Sequence, residues 1–127
     1  GAQPPKSIQQ LSSENIFVTG FVEDIERTIC DACLTIAPVR VASGIQNKVL
    51  VAMSCGLPVV MTSLIANAIP ELQHEQNCLI QDEAATLADA CLRIMNHPDL
   101  REQLATNGYE MVKRHYSWKE KILGYIR

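Results

Sequence analysis

From residue 15 to residue 82, short apolar runs closed by turn residues alternate with segments of helical apolar spacing, and this alternation constrains the fold more than anything else in the chain. Residues 15–19 read as a strand ended by Gly20, and residues 33–37 as a second strand closed by Pro38. Residues 59–62 read as a third and residues 78–80 as a fourth. Between them, Asp24 caps a helix with Ile25, Ile29 and Ala32 facing inward. Residues 45–55 form another, burying Ile45, Val49 and Ala52 or Met53, with Gly56 just past its end. Successive strands joined by helices run parallel, because a helical crossover returns the chain to the end from which it started. The unbroken apolar run Val59-Val60-Met61 suits a strand covered on both faces.

Around this core, residues 6–11 after Pro4-Pro5 read as a short helix and residues 63–70 as a turn. Beyond the last strand the chain is helical throughout. Asp82 caps a helix with Leu87, Cys91, Ile94 and Met95 on one face; Pro98 opens another with Leu100, Leu104, Met111 and Val112 facing in. Ser117 and Glu120 spell a capping box that starts a last helix, with Trp118 as a core anchor. The expected class is α/β: a Rossmann-like parallel sheet with helical crossovers and a helical C-terminal tail.

Composition narrows the function. A chain of 127 residues is one domain, and at 47% hydrophobic it can fill a core. Eleven Lys and Arg against fourteen Asp and Glu give a net charge of −3, which argues against a nucleic-acid partner. No apolar run reaches the ~20 residues of a membrane-spanning helix, though Lys113-Arg114 could meet an anionic membrane peripherally. The five cysteines follow no disulfide-scaffold rhythm, so free thiols in a reducing cytoplasm are expected. Cys30-Asp31-Ala32-Cys33 has thioredoxin-like spacing, but it lies where a helix ends and a strand begins, so packed or surface thiols are the reading. No second pair completes a zinc set. His97 and His115 fall near helix ends, where they can meet backbone carbonyls.

In an open parallel sheet a ligand sits at the carboxyl ends of the strands. Three loops qualify: Gly20-Phe21-Val22, residues 38–46, and Thr62-Ser63-Leu64. The second runs from a strand end to a helix start, where free N–H groups attract an anion such as phosphate, with Arg40 and Lys48 adding charge. Ser43 with Gln46 also forms a capping box, and Gly44 suits a tight turn, so a purely structural role stands beside the functional one.

At this stretch the sequence resembles the carboxyl-terminal, nucleotide-sugar-binding domain of glycosyltransferase family 4, the group 1 enzymes of GT-B architecture. Asn15-Ile16-Phe17-Val18-Thr19-Gly20-Phe21-Val22, Asp31-Ala32-Cys33-Leu34-Thr35-Ile36-Ala37-Pro38 and Gly44-Ile45-Gln46-Asn47-Lys48-Val49-Leu50 occur in the family's order. So do Ala52-Met53-Ser54-Cys55-Gly56-Leu57-Pro58-Val59-Val60, Ile69-Pro70-Glu71 and Tyr116-Ser117-Trp118. The wording Gly-Ile-Gln-Asn-Lys is similar to bacterial sugar transferases of exopolysaccharide clusters.

The resemblance implies a retaining transfer of sugar from a nucleotide diphosphate, without metal or other cofactor, in a cytoplasmic protein, peripheral at the inner membrane. By position, the backbone at Gly20, Phe21 and Val22 faces the base, while Ser43, Gly44, Ile45 and Gln46 line the sugar and diphosphate. Position 51 meets the ribose; Arg40, Thr62 and Ser63 join the donor set from their place at the strand ends, and Lys48 belongs to it through the subfamily wording, with no contact assigned. Glu71 caps a helix or approaches the donor. The family's two glutamates, seven residues apart, are replaced here by Ser43 and Val51, and valine offers the ribose hydroxyls no acceptor.

Residues 1–127 also resemble an excerpt of that domain, lacking the N-terminal acceptor half and the first strands of the donor half. On this reading the chain alone is inactive, and exposed sheet edges favour a homodimer or a rearranged sheet. The rival is a degenerate GT-B-like domain that binds a partner. A receiver-like signalling domain ranks last, because the loop after Val18-Thr19 supplies no acidic pocket.

Overall fold

The computed structural model describes residues 4–20, 22–41 and 47–116. Among these residues three strands, β1 (Thr35–Ala37), β2 (Val59–Met61) and β3 (Leu79–Ile80), form one parallel sheet in that order. Thr35 stands opposite Val59 and Ala37 opposite Met61; Val60 and Met61 pair with Leu79 and Ile80. The helices are α1 (Lys6–Gln9), α2 (Ile25–Cys30), α3 (Asn47–Ser54), α4 (Ser63–Asn67), α5 (Ala84–Asn96) and α6 (Pro98–His115). The α/β class and the parallel sheet are as the alternation implies.

β2 is the centre of the molecule, all three of its residues being buried. Because successive strand side chains point to opposite faces, Val59 and Met61 join one cluster and Val60 another. The first cluster contains Val49, Leu50, Val51, Ala52 and Met53 of α3 together with Met111 and Val112 of α6. The second packs Val60 and Leu79 against Ala90 and Ile94 of α5 and Leu104 of α6. Full burial of a side chain the size of Leu50 or Ile94 contributes about 1.5–3 kcal/mol. Gly108 of α6 faces α3: a Cβ there would be in ordinary contact, 3.4 Å from Met53 Cγ and 3.5 Å from Asn77 O.

Several local expectations are corrected. Residues 15–19 form no strand, and Ile16 and Phe17 are exposed. A strand exists only where a neighbour accepts its ladder, and the sheet ends at β1. The segment's backbone instead turns locally, Ser13 N–H donating to Ile16 O at 2.9 Å. The second and fourth strands shrink to residues 35–37 and 79–80, with Cys78 in an isolated bridge to His74.

Residues 63–67, read as turn, are the helix α4, which buries Ile65 and Ala66. Asp82 does not cap α5, whose N-cap is Glu83 without a side-chain bond. Ala32 and Met95, assigned inward, are exposed, and so is Ile25. The expectation of five free thiols fails too: Cys30 and Cys55 form a disulfide across 25 positions, with their Cα atoms 5.4 Å apart. Other readings hold. Asp24 accepts from Arg27 N–H at 3.0 Å, Pro98 begins α6, and the His97 ring meets Arg93 O at 2.9 Å. The helix expected from Ser117, with Trp118, lies outside the described residues, as does Ile45.

Candidate functional site at the carboxyl ends of the strands

Two openings sharing Val39 in their walls lie where β1 and β2 discharge into loops. The larger, about 420 Å³, runs along β1 and its exit at Pro38 and Val39. One wall is α2, through Ile25, Thr28 and Ile29; the other is the start of α3, through Lys48 and Val49. Gly20 and Val22 close the remaining side. Gly20 has φ 67°, a left-handed conformation open to glycine without steric penalty, so the turn brings bare backbone to the cavity. The walls are apolar with three threonine hydroxyls, and Lys48 is the one charged residue among the described lining.

The second opening, about 360 Å³, is polar and lies against the exits of all three strands. Thr62 Oγ1 donates to Val39 O at 2.6 Å and so ties the exit of β2 to that of β1. Ser63 donates from both N–H (2.8 Å) and Oγ (3.0 Å) to Asp82 Oδ1. These two bonds, first the backbone one, hold the Asp82 carboxyl below the usual carboxylate range, with a smaller push from the Arg40 charge. The exposed start of α4 is therefore already met by a protein carboxylate.

Of the residues singled out from sequence, Gly20, Val22 and Lys48 share the first opening, and Arg40, Thr62 and Ser63 share the second. Thr62 and Ser63 are engaged inside the protein, one by Val39 and the other by Asp82. Val51 is 5% exposed and packs in the larger core cluster, lining neither opening. Phe21, Ser43, Gly44, Ile45 and Gln46 lie outside the described residues. Glu71 lines neither of these openings; it faces a separate polar cavity of about 550 Å³ with Asn107 and Arg114 of α6.

Sequence reasoning missed Thr28, Asp82 and Asn47. Thr28 carried no signal, lying on what read as a structural helix. Asp82 was noticed but assigned to the wrong helix. Asn47 begins α3 with its Oδ1 buried and without a hydrogen-bond partner, an uncommon state for a native polar atom. Its only signal was its place between Gln46 and Lys48.

Comparisons with known proteins bear on the family and the fold. The family model for glycosyl transferases, group 1, matches residues 1–97. Among solved structures, the chain is similar to the C-terminal domain of a glycosyl transferase group 1 family protein (LpcC) from Francisella tularensis. The TM-score is 0.67 at 24% identity, over 77% of this chain and 52% of that one. The chain thus spans about half the length of the relative it matches.

Proposed function

The chain belongs to the glycosyl transferases group 1 family, and from that premise we propose that it contributes the nucleotide-sugar-binding part of a retaining glycosyltransferase. A partner half would supply the acceptor site, and the acceptor would be a growing polysaccharide or glycan. One observation carries the reading: an apolar cleft at the exit of β1, with bare backbone at Gly20 on one side and, as the one cation among the described lining, Lys48 on the other. A nucleoside has the shape and polarity for such a cleft. Its diphosphate would be met by Lys48, by Arg40 and by the positive end of α3, so that no metal ion is required.

The test is calorimetric titration of UDP and UDP-sugars into the full-length protein. Lys48→Ala should weaken binding roughly ten- to a hundredfold, the range for a lost hydrogen bond to a charged group, while Lys48→Arg retains most of it. Equal affinity in wild type and Lys48→Ala would refute this placement of the donor. NMR of the product's anomeric proton reads retention directly.

A second reading, a degenerate domain that binds a partner, is favoured by Val51. An apolar, core-packed side chain stands where the resemblance expects a ribose acceptor. A folded full-length protein that binds no nucleotide diphosphate would select it.

A further inference from the structure

The disulfide links the last residue of α2, Cys30, to Cys55, which follows α3. Those are the two helices that wall the cleft at β1. α2 has no buried residue, and only Ile29 packs against the core, so the covalent bond is the strongest tie among the described residues between α2 and the rest of the fold. A third cysteine, Cys33, lies three positions beyond Cys30. Asp31 ends α2 still in the right-handed helical conformation, and Ala32 N–H donates to Ile29 O at 3.0 Å, so the chain is still turning as it reaches Cys33. Cys33 is exposed and borders an opening of about 380 Å³ beside Pro98 and Arg101. The other two free thiols are poorly suited to exchange. Burial pushes Cys78 up to about 12 and also raises Cys91, and a thiol must ionise before it attacks.

We propose that Cys30, Cys33 and Cys55 form a thiol–disulfide exchange site that fastens α2 to α3 or releases it. In the exchange, the Cys33 thiol gives its proton to solvent and its Sγ bonds to Cys30 Sγ. The Cys30–Cys55 bond breaks, and its electron pair leaves on Cys55 Sγ, which takes up a proton. The reaction is an isomerisation with no net redox change. Its product is a Cys30–Cys33 bridge within one turn, and α2 is then held to α3 by noncovalent packing alone, with Ile29 against the core. A soluble dithiol achieves the same release by reducing the bridge, itself becoming a disulfide. The consequence for the cleft, loss of one wall, rests on the reading under Proposed function.

The experiment uses the full-length protein, with free thiols blocked by N-ethylmaleimide before non-reducing tryptic mapping. Cleavage after Arg27, Arg40, Lys48 and Arg93 places Cys30 and Cys33 in peptide 28–40 and Cys55, Cys78 and Cys91 in peptide 49–93. Fragment spectra of the crosslinked peptides, with maleimide found on Cys33, Cys78 and Cys91, report the Cys30–Cys55 bond, and an internal bridge in 28–40 with maleimide on Cys55 reports the exchanged form. Wild type should show both after incubation at pH 8.5, and Cys33→Ser, a surface change, only the crosslink.

Hydrogen exchange of the α2 amides should quicken at least tenfold on treatment with dithiothreitol, while β2 stays protected. Recovery of Cys30 and Cys55 as maleimide adducts from protein purified without reductant would overturn the proposal. So would absence of the 28–40 bridge, or unchanged α2 exchange on reduction. None of these readouts uses nucleotide, so failure of UDP to bind in either form would count against the proposed function alone.

Discussion

Asp82, which follows β3, holds Ser63, the first residue of α4, by two hydrogen bonds to the same carboxylate oxygen, at 2.8 Å from the backbone N–H and 3.0 Å from Oγ. The exit of β3 is thereby fastened to that of β2 at the mouth of the polar opening. The bonds favour the ionised carboxylate, so its folded-state value lies below its unfolded one. The stabilisation is fully present above about pH 4 and is lost as pH falls through the folded value. Melting curves from pH 6 to pH 2.5 should show wild type losing more stability on acidification than Asp82→Asn, whose amide oxygen can keep both bonds but cannot titrate. Identical acid slopes would remove Asp82 from this role.

Glu75 adopts φ 70° while its carboxylate takes both terminal nitrogens of Arg93, at 2.5 and 2.7 Å. A left-handed conformation costs a side-chain-bearing residue about 1–2 kcal/mol, and an ion pair this exposed returns about 0.2–1 kcal/mol. Glu75→Ala should therefore be less stable than wild type, because it keeps the strain and loses the pair. Glu75→Gly should exceed Glu75→Ala by about 1 kcal/mol in urea denaturation. Equal stability of the two variants would show that no strain is held there.

Gly108 lies mid-helix in α6, where Ala is ordinarily favoured by about 0.8–1 kcal/mol. The added Cβ would meet Met53 Cγ at 3.4 Å and Asn77 O at 3.5 Å, ordinary contact distances. Gly108→Ala should thus be neutral or stabilising by up to about 1 kcal/mol, whereas Gly108→Leu forces Met53 and the Asn77 backbone apart and should cost about 1–3 kcal/mol or more. Chemical denaturation of the two variants checks both signs.

The parts of the fold written in the sequence are those whose cause is local. α3 and β2 are such parts: five consecutive buried residues in one, three in the other, within short punctuated runs. The Asp24 cap and the start of α6 at Pro98 are equally local. What misled was what depends on a distant partner. Residues 15–19 have strand chemistry but no strand beside them in the sheet. Asp82 satisfies the rule for a cap yet bonds nineteen positions back, and Cys30 finds Cys55 twenty-five positions on. The site divides along the same line. Gly20, Val22 and Lys48 come together through the general rule for parallel sheets, whereas Thr28 enters the cleft only because α2 packs against α3.

Val51 decides most about the site, because the family resemblance and the packing make opposite demands on it. The resemblance places position 51 against a ribose, which a glutamate would serve; the structure buries the side chain in the cluster that contains Leu50, Met53 and Met61. A carboxylate introduced among those neighbours would have no hydrogen-bond donor there and would lose its hydration, a cost of several kcal/mol against a typical total stability of about 5–15 kcal/mol. Val51→Glu should accordingly melt far below wild type or fail to fold. Val51→Thr, of nearly the same shape, should lose only about 1–3 kcal/mol, the cost of one poorly paired hydroxyl. UDP titration of whichever variants fold completes the test. If Val51→Glu instead keeps wild-type stability and binds nucleotide more tightly, its carboxylate reaches the cleft, and the wall between core and site lies on the other side of α3.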